Sequence, residues 1–205
     1  MKVLDWGCRQ APDSCMLRSL HPQMDLSGCD FPEDDFPIFH EYAQLRFQRL
    51  KHEYELPYPD RSFDAVISSG VLEHVAFEHE SLREIWRILR EEGLLFVTFL
   101  PNATSVSENV ARLLGSFGGH TRLYNLSETQ RMFLRSGFAV ERCGFHQVFP
   151  TFAYEFIGGK VFIGGKALRR AADLGAGLNR RLERVPLVNR VASNLFFILR
   201  RVEHF

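Results

Sequence analysis

The run Phe63-Asp64-Ala65-Val66-Ile67-Ser68-Ser69-Gly70-Val71-Leu72-Glu73-His74 sets an acid and an imidazole a few residues beyond a short apolar stretch. Imidazole titrates near neutrality, so His74 is a candidate general base or substrate contact. Ser69 and Gly70 are small, and leave backbone accessible for lining a pocket. Glu73 reads as a structural acid. A second candidate contact is His120, on the loop Gly118-Gly119-His120-Thr121-Arg122. Near the start, Asp5-Trp6-Gly7-Cys8-Arg9 gathers an acid, a glycine, a thiol and a cation. Asp5 either contacts a ligand there or closes a strand-end turn. Cys8 reads as a small packing residue and Trp6 as core. The remaining histidines, His40 among them, show no partner pattern and read as surface or packing residues.

Elements must hold these residues in place. Pro59-Asp60 is turn chemistry, and Ala65-Val66-Ile67 is the short apolar run of a strand covered on both faces. Val3-Leu4 opens an earlier strand, followed by a helix from Pro12 or Asp13 to about Ser19. A short strand ends at Gly28-Cys29-Asp30. The proline-punctuated stretch Phe31 to Phe39 reads as a loop, Glu41 to Arg46 as a helix and Phe47 to Lys51 as a weak strand. Leu82, Ile85, Trp86 and Leu89 recur at i, i+3, i+4, i+7, which predicts a helix stopped by Glu92-Gly93. Gly93 to Leu100 is the most apolar strand. Ser127 and Gln130 form a capping box for a helix ending at Gly137, and Phe138 to Cys143 is a strand. Alternating strands and helices imply a parallel α/β sheet, which binds ligands past the carboxyl ends of its strands.

Residues 150–192 break this rhythm. Leu168, Ala171, Ala172, Gly175, Leu178 and Leu182 share one helical face, with arginines mostly elsewhere. The stretch reads as a helical lid inserted before a final strand at Leu195–Leu199, within a single domain over residues 1–205. Phe149, Phe152, Tyr154, Phe156 and Phe162 could line such a lid.

The 205 residues carry no net charge, but the charge is uneven. Residues 1–100 hold 18 acids against 10 bases, and residues 160–205 hold 3 against 10. The basic end either neutralises the acidic body or meets an anionic membrane through residues 168–190. The basic residues lack interleaved aromatics, which argues against nucleic acid as a partner. The cysteines Cys8, Cys15, Cys29 and Cys143 show no zinc spacing, so no metal is expected, and free thiols in a reducing compartment are the simplest account. No signal peptide stands out and no apolar run nears the ~20 residues of a membrane span, so a cytoplasmic location is expected, with a membrane-peripheral one as the alternative if the basic end meets a membrane.

These stretches, in this order, resemble class I S-adenosylmethionine-dependent methyltransferases of the group acting on small molecules, quinones and sterols included. The match runs through Val3–Cys8, Gly28–Asp30, Leu56-Pro57 with Ser62–Asp64, Val71–Val75, the Leu82–Leu89 helix and Ser136–Phe138. The resemblance implies a doubly wound, mostly parallel seven-stranded sheet with an antiparallel last strand. It implies S-adenosylmethionine as cofactor, with Asp5, Trp6, Gly7, Cys8 and Arg9 in the loop beside it. Asp30, 23 positions after Gly7, with Phe31 next to it, would serve the ribose hydroxyls. His52 and Glu53 would lie near the adenine, and Ser69 and Gly70 would line the pocket. The family's second and third loop glycines are Arg9 and Ala11 here, and the family's usual helix before the first strand is not seen. The expected activity is methyl transfer to a small, apolar or lipid-linked acceptor. The alternative is a non-catalytic binding or scaffold protein with a weakened cofactor site. A nicotinamide enzyme would want three glycines after the first strand, and Gly7 stands alone.

Overall fold

A computed structural model describes residues 1–31, 37–52, 54–106, 109, 122–148, 165–182 and 184–203. Its strands are β1 (Lys2–Trp6), β2 (Asp25–Asp30), β3 (Arg46–Arg49), β4 (Phe63–Ser69), β5 (Leu89–Pro101), β6 (Phe138–His146) and β7 (Asn194–Arg201). They form one sheet in the order β3-β2-β1-β4-β5-β7-β6. The helices are α1 (Pro12–Leu20), α2 (Pro37–Ala43), α3 (Glu78–Ile88), α4 (Leu126–Arg135), α5 (Gly165–Leu182) and α6 (Pro186–Asn189).

Strands β1 to β5 pair in parallel. β7 runs against its neighbours: the end of β5 meets its beginning, where Asn102 N–H donates to Ser193 C=O, and Val202 N–H donates to Gly137 C=O beside the beginning of β6. The strand order turns outward in both directions from β1 and β4, so their carboxyl ends flank the switch point where such sheets hold ligands.

The chain divides into two compact units: Met1–Leu100 with Ser127–Cys143 and Phe196–Phe205, and Pro101–Leu126 with Gly144–Leu195. The first is built on apolar strands. Val3, Leu4, Leu26, Ala65, Val66, Leu95 and Val97 are buried, as are Leu82, Ile85 and Ile88 of α3. Beneath the start of β4, the Arg87 guanidinium clasps the turn before it. It donates to the carbonyls of Tyr58 (2.8 Å) and Leu56 (3.0 Å) and pairs with Asp60 and Glu84. The second unit is tied by amides. Asn102 Nδ2 donates to the carbonyls of Arg190 (3.0 Å) and Ala192 (2.8 Å), and Asn194 Nδ2 to Gln147 Oε1 (2.8 Å).

Several elements differ from the expectation. Helix α2 starts at Pro37, inside the expected loop, because proline's fixed φ suits a first helical turn. It ends at Ala43 because Gln44 turns left-handed (φ 49°). Glu92-Gly93 does not stop α3. The helix ends at Ile88 and β5 begins at once. The pairing jumps from Phe63↔Leu89 to Ala65↔Leu94, so Arg90–Gly93 bulge opposite Asp64. Glu92 is left-handed there (φ 60°), and a Cβ on Gly93 would lie 2.8 Å from Arg90 C=O, so only glycine closes the bulge. Helix α4 begins at Leu126, one residue before the expected start at Ser127, and Gln130 Nε2 lies 3.1 Å from Cys143 Sγ. On α5 the buried line passes through Gly175 and Asn179, while Leu174 and Leu178 are 74% and 44% exposed. The expected apolar face is therefore rotated away from Leu178.

Candidate functional site

The loop after β1 turns three times through left-handed backbone. Gly7 (φ 72°), Arg9 (φ 40°) and Ala11 (φ 53°) all lie in the region that suits glycine. At Gly7 glycine is obligatory, since a Cβ would sit 2.5 Å from Val71 Cγ2. At positions 9 and 11 the same backbone is carried by L-residues and held by its neighbours. Gly7 and Cys8 donate N–H to Cys29 C=O at 2.8 and 3.3 Å. Arg9 N–H donates to Asp30 Oδ2 at 2.7 Å. His40 Nε2 lies 2.8 Å from Arg9 C=O, the geometry of a ring N–H donating to it, and the ring stacks on Phe47 at 5.0 Å.

This loop borders a hollow of about 410 Å³. Asp5, Gly7, Cys8, Arg9 and Gln10 form one side, Pro12 and Asp13 of α1 continue it, and Ser69 and Gly70 past β4 complete it. Gly70 (φ 65°) is fixed by donating N–H to Thr98 C=O at 3.0 Å, and Thr98 Oγ1 donates to Ser69 Oγ at 2.9 Å.

Asp5 is 4% exposed and accepts from Ser14 Oγ at 2.6 Å. Burial raises its carboxyl from 3.8 to about 6; the Ser14 bond opposes the rise, and the charges of Asp13 and Asp30 add to it. Burial also pushes the Cys8 and Cys29 thiols up, the setting of inert packing thiols rather than nucleophiles.

Asp30 stands at the base of the loop, with Oδ1 accepting from Phe31 N–H at 2.6 Å. Each carboxylate oxygen has a second lone-pair direction, so two vicinal hydroxyls could still be accepted.

The other expected site residues are placed less centrally. Trp6 is buried in the core at 2% exposure, Phe31 is exposed beside Asp30, and exposed His52 stacks on Tyr54 at 5.6 Å. His74 is exposed, its Nε2 3.9 Å from Glu73 Oε1. None of these four lines the hollow. Glu53, His120 and residues 149–164 lie outside the described residues. The contributors missed are Gln10 and Pro12 in the lining, with Asp13, Ser14 and His40. Ser14 and Asp13 had a signal in the helix start that follows the loop. His40 had none, because 31 residues separate it from the carbonyl it reaches.

A parallel sheet with an acid-lined glycine turn at its switch point defines an α/β protein that takes a nucleoside-bearing cofactor. Residues 4–97 match the family described as "Methyltransferase domain". A probable S-adenosylmethionine-dependent methyltransferase of Mycobacterium tuberculosis is 38% identical over 150 residues, covering 70% of this chain and 52% of that protein. Demethylmenaquinone methyltransferase of Deinococcus radiodurans is 29% identical over 127 residues, covering 60% and 49%. The chain thus spans about half the length of the curated relatives it matches. A solved structure described as a SAM-dependent methyltransferase from Methanosarcina mazei superposes with a TM-score of 0.65 over 99% of this chain and 93% of that one; at 13% identity it speaks for the fold alone. The chain is similar in sequence to S-adenosylmethionine-dependent methyltransferases, matches the methyltransferase-domain family over residues 4–97, and shares the fold of solved S-adenosylmethionine-dependent methyltransferases. The residues present fit that cofactor. The hollow has a glycine turn and acids for cationic groups, and Asp30, which holds the loop from outside the hollow's lining, has acceptor capacity to spare.

Proposed function

We propose that this chain transfers a methyl group from S-adenosylmethionine to a small, apolar or lipid-linked acceptor. The observation that carries the proposal is the loop after β1. It holds the left-handed backbone of a glycine-rich cradle at Arg9 and Ala11 and is tied to Asp30. That backbone weighs for the enzyme over a non-catalytic scaffold, the reading that the two substitutions favoured.

The bound cofactor would supply an already activated methyl, so the protein's tasks are placement, exclusion of water and management of one proton. Asp30 accepts the ribose hydroxyls. Asp5, ionised above its raised pKa, faces the cationic end of the cofactor. The turn at Ser69 and Gly70 offers backbone at the pocket wall. His74, past β4 and outside the lining of the hollow, is the residue assigned to take the acceptor's proton. The name of the Deinococcus relative supports a lipid-linked quinone among the acceptors.

The test is calorimetry with S-adenosylhomocysteine. Micromolar binding is expected, with a loss of 100-fold or more in Asp30→Ala, on the order of two hydrogen bonds to a charged group. No binding at millimolar ligand defeats the proposal. For the acceptor, transfer of a labelled methyl to a prenylated quinol should exceed transfer to a water-soluble phenol.

A peripheral membrane contact is a second reading, favoured by α5. Leu174 and Leu178 are exposed one turn apart, with Arg180, Arg181 and Arg184 exposed nearby. No helix among the described residues is long and apolar enough to cross a membrane. Flotation with anionic liposomes at low salt, lost in Arg180→Glu/Arg181→Glu, is the expected result; failure of the wild type to float rejects it.

A further inference from the structure

We infer that Arg9 is a selectivity residue, pairing with the α-carboxylate of the cofactor's amino-acid part. The inference rests on the cofactor reading above and names a contact for which the family's glycine pattern has no side chain.

Charge comes first. Among the described residues lining the hollow, Asp5 and Asp13 are acids and Arg9 is the one cation. S-adenosylmethionine carries two cationic groups, its ammonium and its sulfonium, and one anionic group, its carboxylate. The acids suit the cations. A carboxylate placed between Asp5 and Asp13 would be repelled, and the lining offers it one ionic partner.

The second step is geometry. The backbone of Arg9 is fixed on both sides, with its N–H on Asp30 and its C=O on His40. Among the described residues its guanidinium makes no ion pair, and the residue is exposed at the edge of the hollow. A planar fork of donors on an anchored backbone is the arrangement that binds a carboxylate bidentately. The third step is strain. A φ of 40° disfavours any side chain, and glycine would adopt it freely. An L-residue held in such a conformation beside a ligand hollow is where strain coincides with a binding task.

The experiment compares two ligands that differ by the carboxylate alone: S-adenosylhomocysteine and its decarboxylated analogue, S-adenosyl-3-thiopropylamine. Calorimetry on the wild type should favour the carboxylate form by roughly tenfold, the worth of one charge-assisted pair at an exposed site. In Arg9→Gln the preference should collapse to near unity, with the affinity for the amine form kept. Arg9→Lys should retain part of it. Arg9→Gly, which removes the strain as well as the cation, should lose the preference too. An unchanged ratio in both Arg9→Gln and Arg9→Gly overturns the role of Arg9 while leaving the cofactor reading intact. A wild type that binds neither ligand overturns both.

Discussion

The loops after β1 and β4 border one hollow but are built by opposite means. After β4, the left-handed turn falls on Gly70, is closed by a neighbouring strand through Thr98 C=O, and needs no help from distant side chains. After β1, three left-handed residues occur in five positions and glycine occupies one of them. Arg9 is restrained by groups that the chain delivers from far away, the Asp30 carboxylate, 21 residues on, and the His40 ring, 31 residues on, whereas Ala11 is held locally, donating N–H to Cys8 C=O and accepting from Cys15 N–H. A glycine pattern is therefore sufficient for such a cradle but not necessary. Tertiary hydrogen bonds can hold L-residues in the same conformation.

The largest expected effect separates the two loops by charge. The β4 side presents neutral hydroxyls, whereas the β1 side buries Asp5. The folded carboxyl titrates near 6 and the unfolded one near 3.8. The folded state therefore binds more protons between these values. Its stability is greatest below 3.8 and falls as pH rises through 6, by roughly 3 kcal/mol in all. Asp5→Asn keeps an oxygen acceptor for Ser14 and removes the titration. Urea unfolding should show the variant more stable than wild type at pH 8 and equal to it at pH 3.5, with weaker S-adenosylhomocysteine binding. Equal stability at pH 8 would mean that the buried carboxylate carries no penalty.

The second contrast compares the two glycines. A Cβ at Gly7 meets Val71 at 2.5 Å, whereas at Gly70 its nearest neighbour is Glu73 Oε1 at 3.7 Å. Both substitutions to alanine carry the left-handed penalty of about 1 kcal/mol, and Gly7→Ala adds overpacking of similar or larger size. Denaturation should show Gly7→Ala losing about 3 kcal/mol and Gly70→Ala about 1. Equal losses would place the constraint in φ alone.

A third test removes the distant support. His40→Ala deletes the ring against Arg9 C=O and its stacking on Phe47, at a cost of about 1 kcal/mol. The sharper readout is cofactor affinity. If His40 holds the loop, affinity falls severalfold although the ring does not line the hollow; unchanged affinity would mean that Asp30 suffices.

This contrast also marks what the sequence could reveal. Period and composition located every strand of the sheet, because short apolar runs and 3.6-residue spacing are local signals. Asp5, Gly7, Ser69 and Gly70 were legible because a parallel sheet puts strand ends at its ligand crevice. The bulge at Arg90–Gly93 was not: a glycine after two acids looks like a helix stop until β4 is paired beside it. Nor was the conformation of Arg9 and Ala11, since their side chains argue against left-handed backbone and the bonds that hold Arg9 there come from β2 and α2.

The smallest effect is the most discriminating. Ala11→Gly repeats the alanine–glycine exchange at the other end of the same loop, where φ is 53° and the methyl is fully buried. Relief of left-handed strain favours the variant by about 1 kcal/mol. The larger entropy of unfolded glycine opposes it by about 0.5–1 kcal/mol, and the lost burial of one methyl by about 0.8 kcal/mol. The expected change in unfolding free energy is thus within about 1 kcal/mol of zero, on the destabilising side, against the larger loss for Gly7→Ala. Cofactor affinity should not move, because the backbone is already where glycine would put it. A gain in affinity in Ala11→Gly would mean that the loop is held short of its binding conformation, and that the local bonds of Ala11 to Cys8 and Cys15 substitute for glycine incompletely.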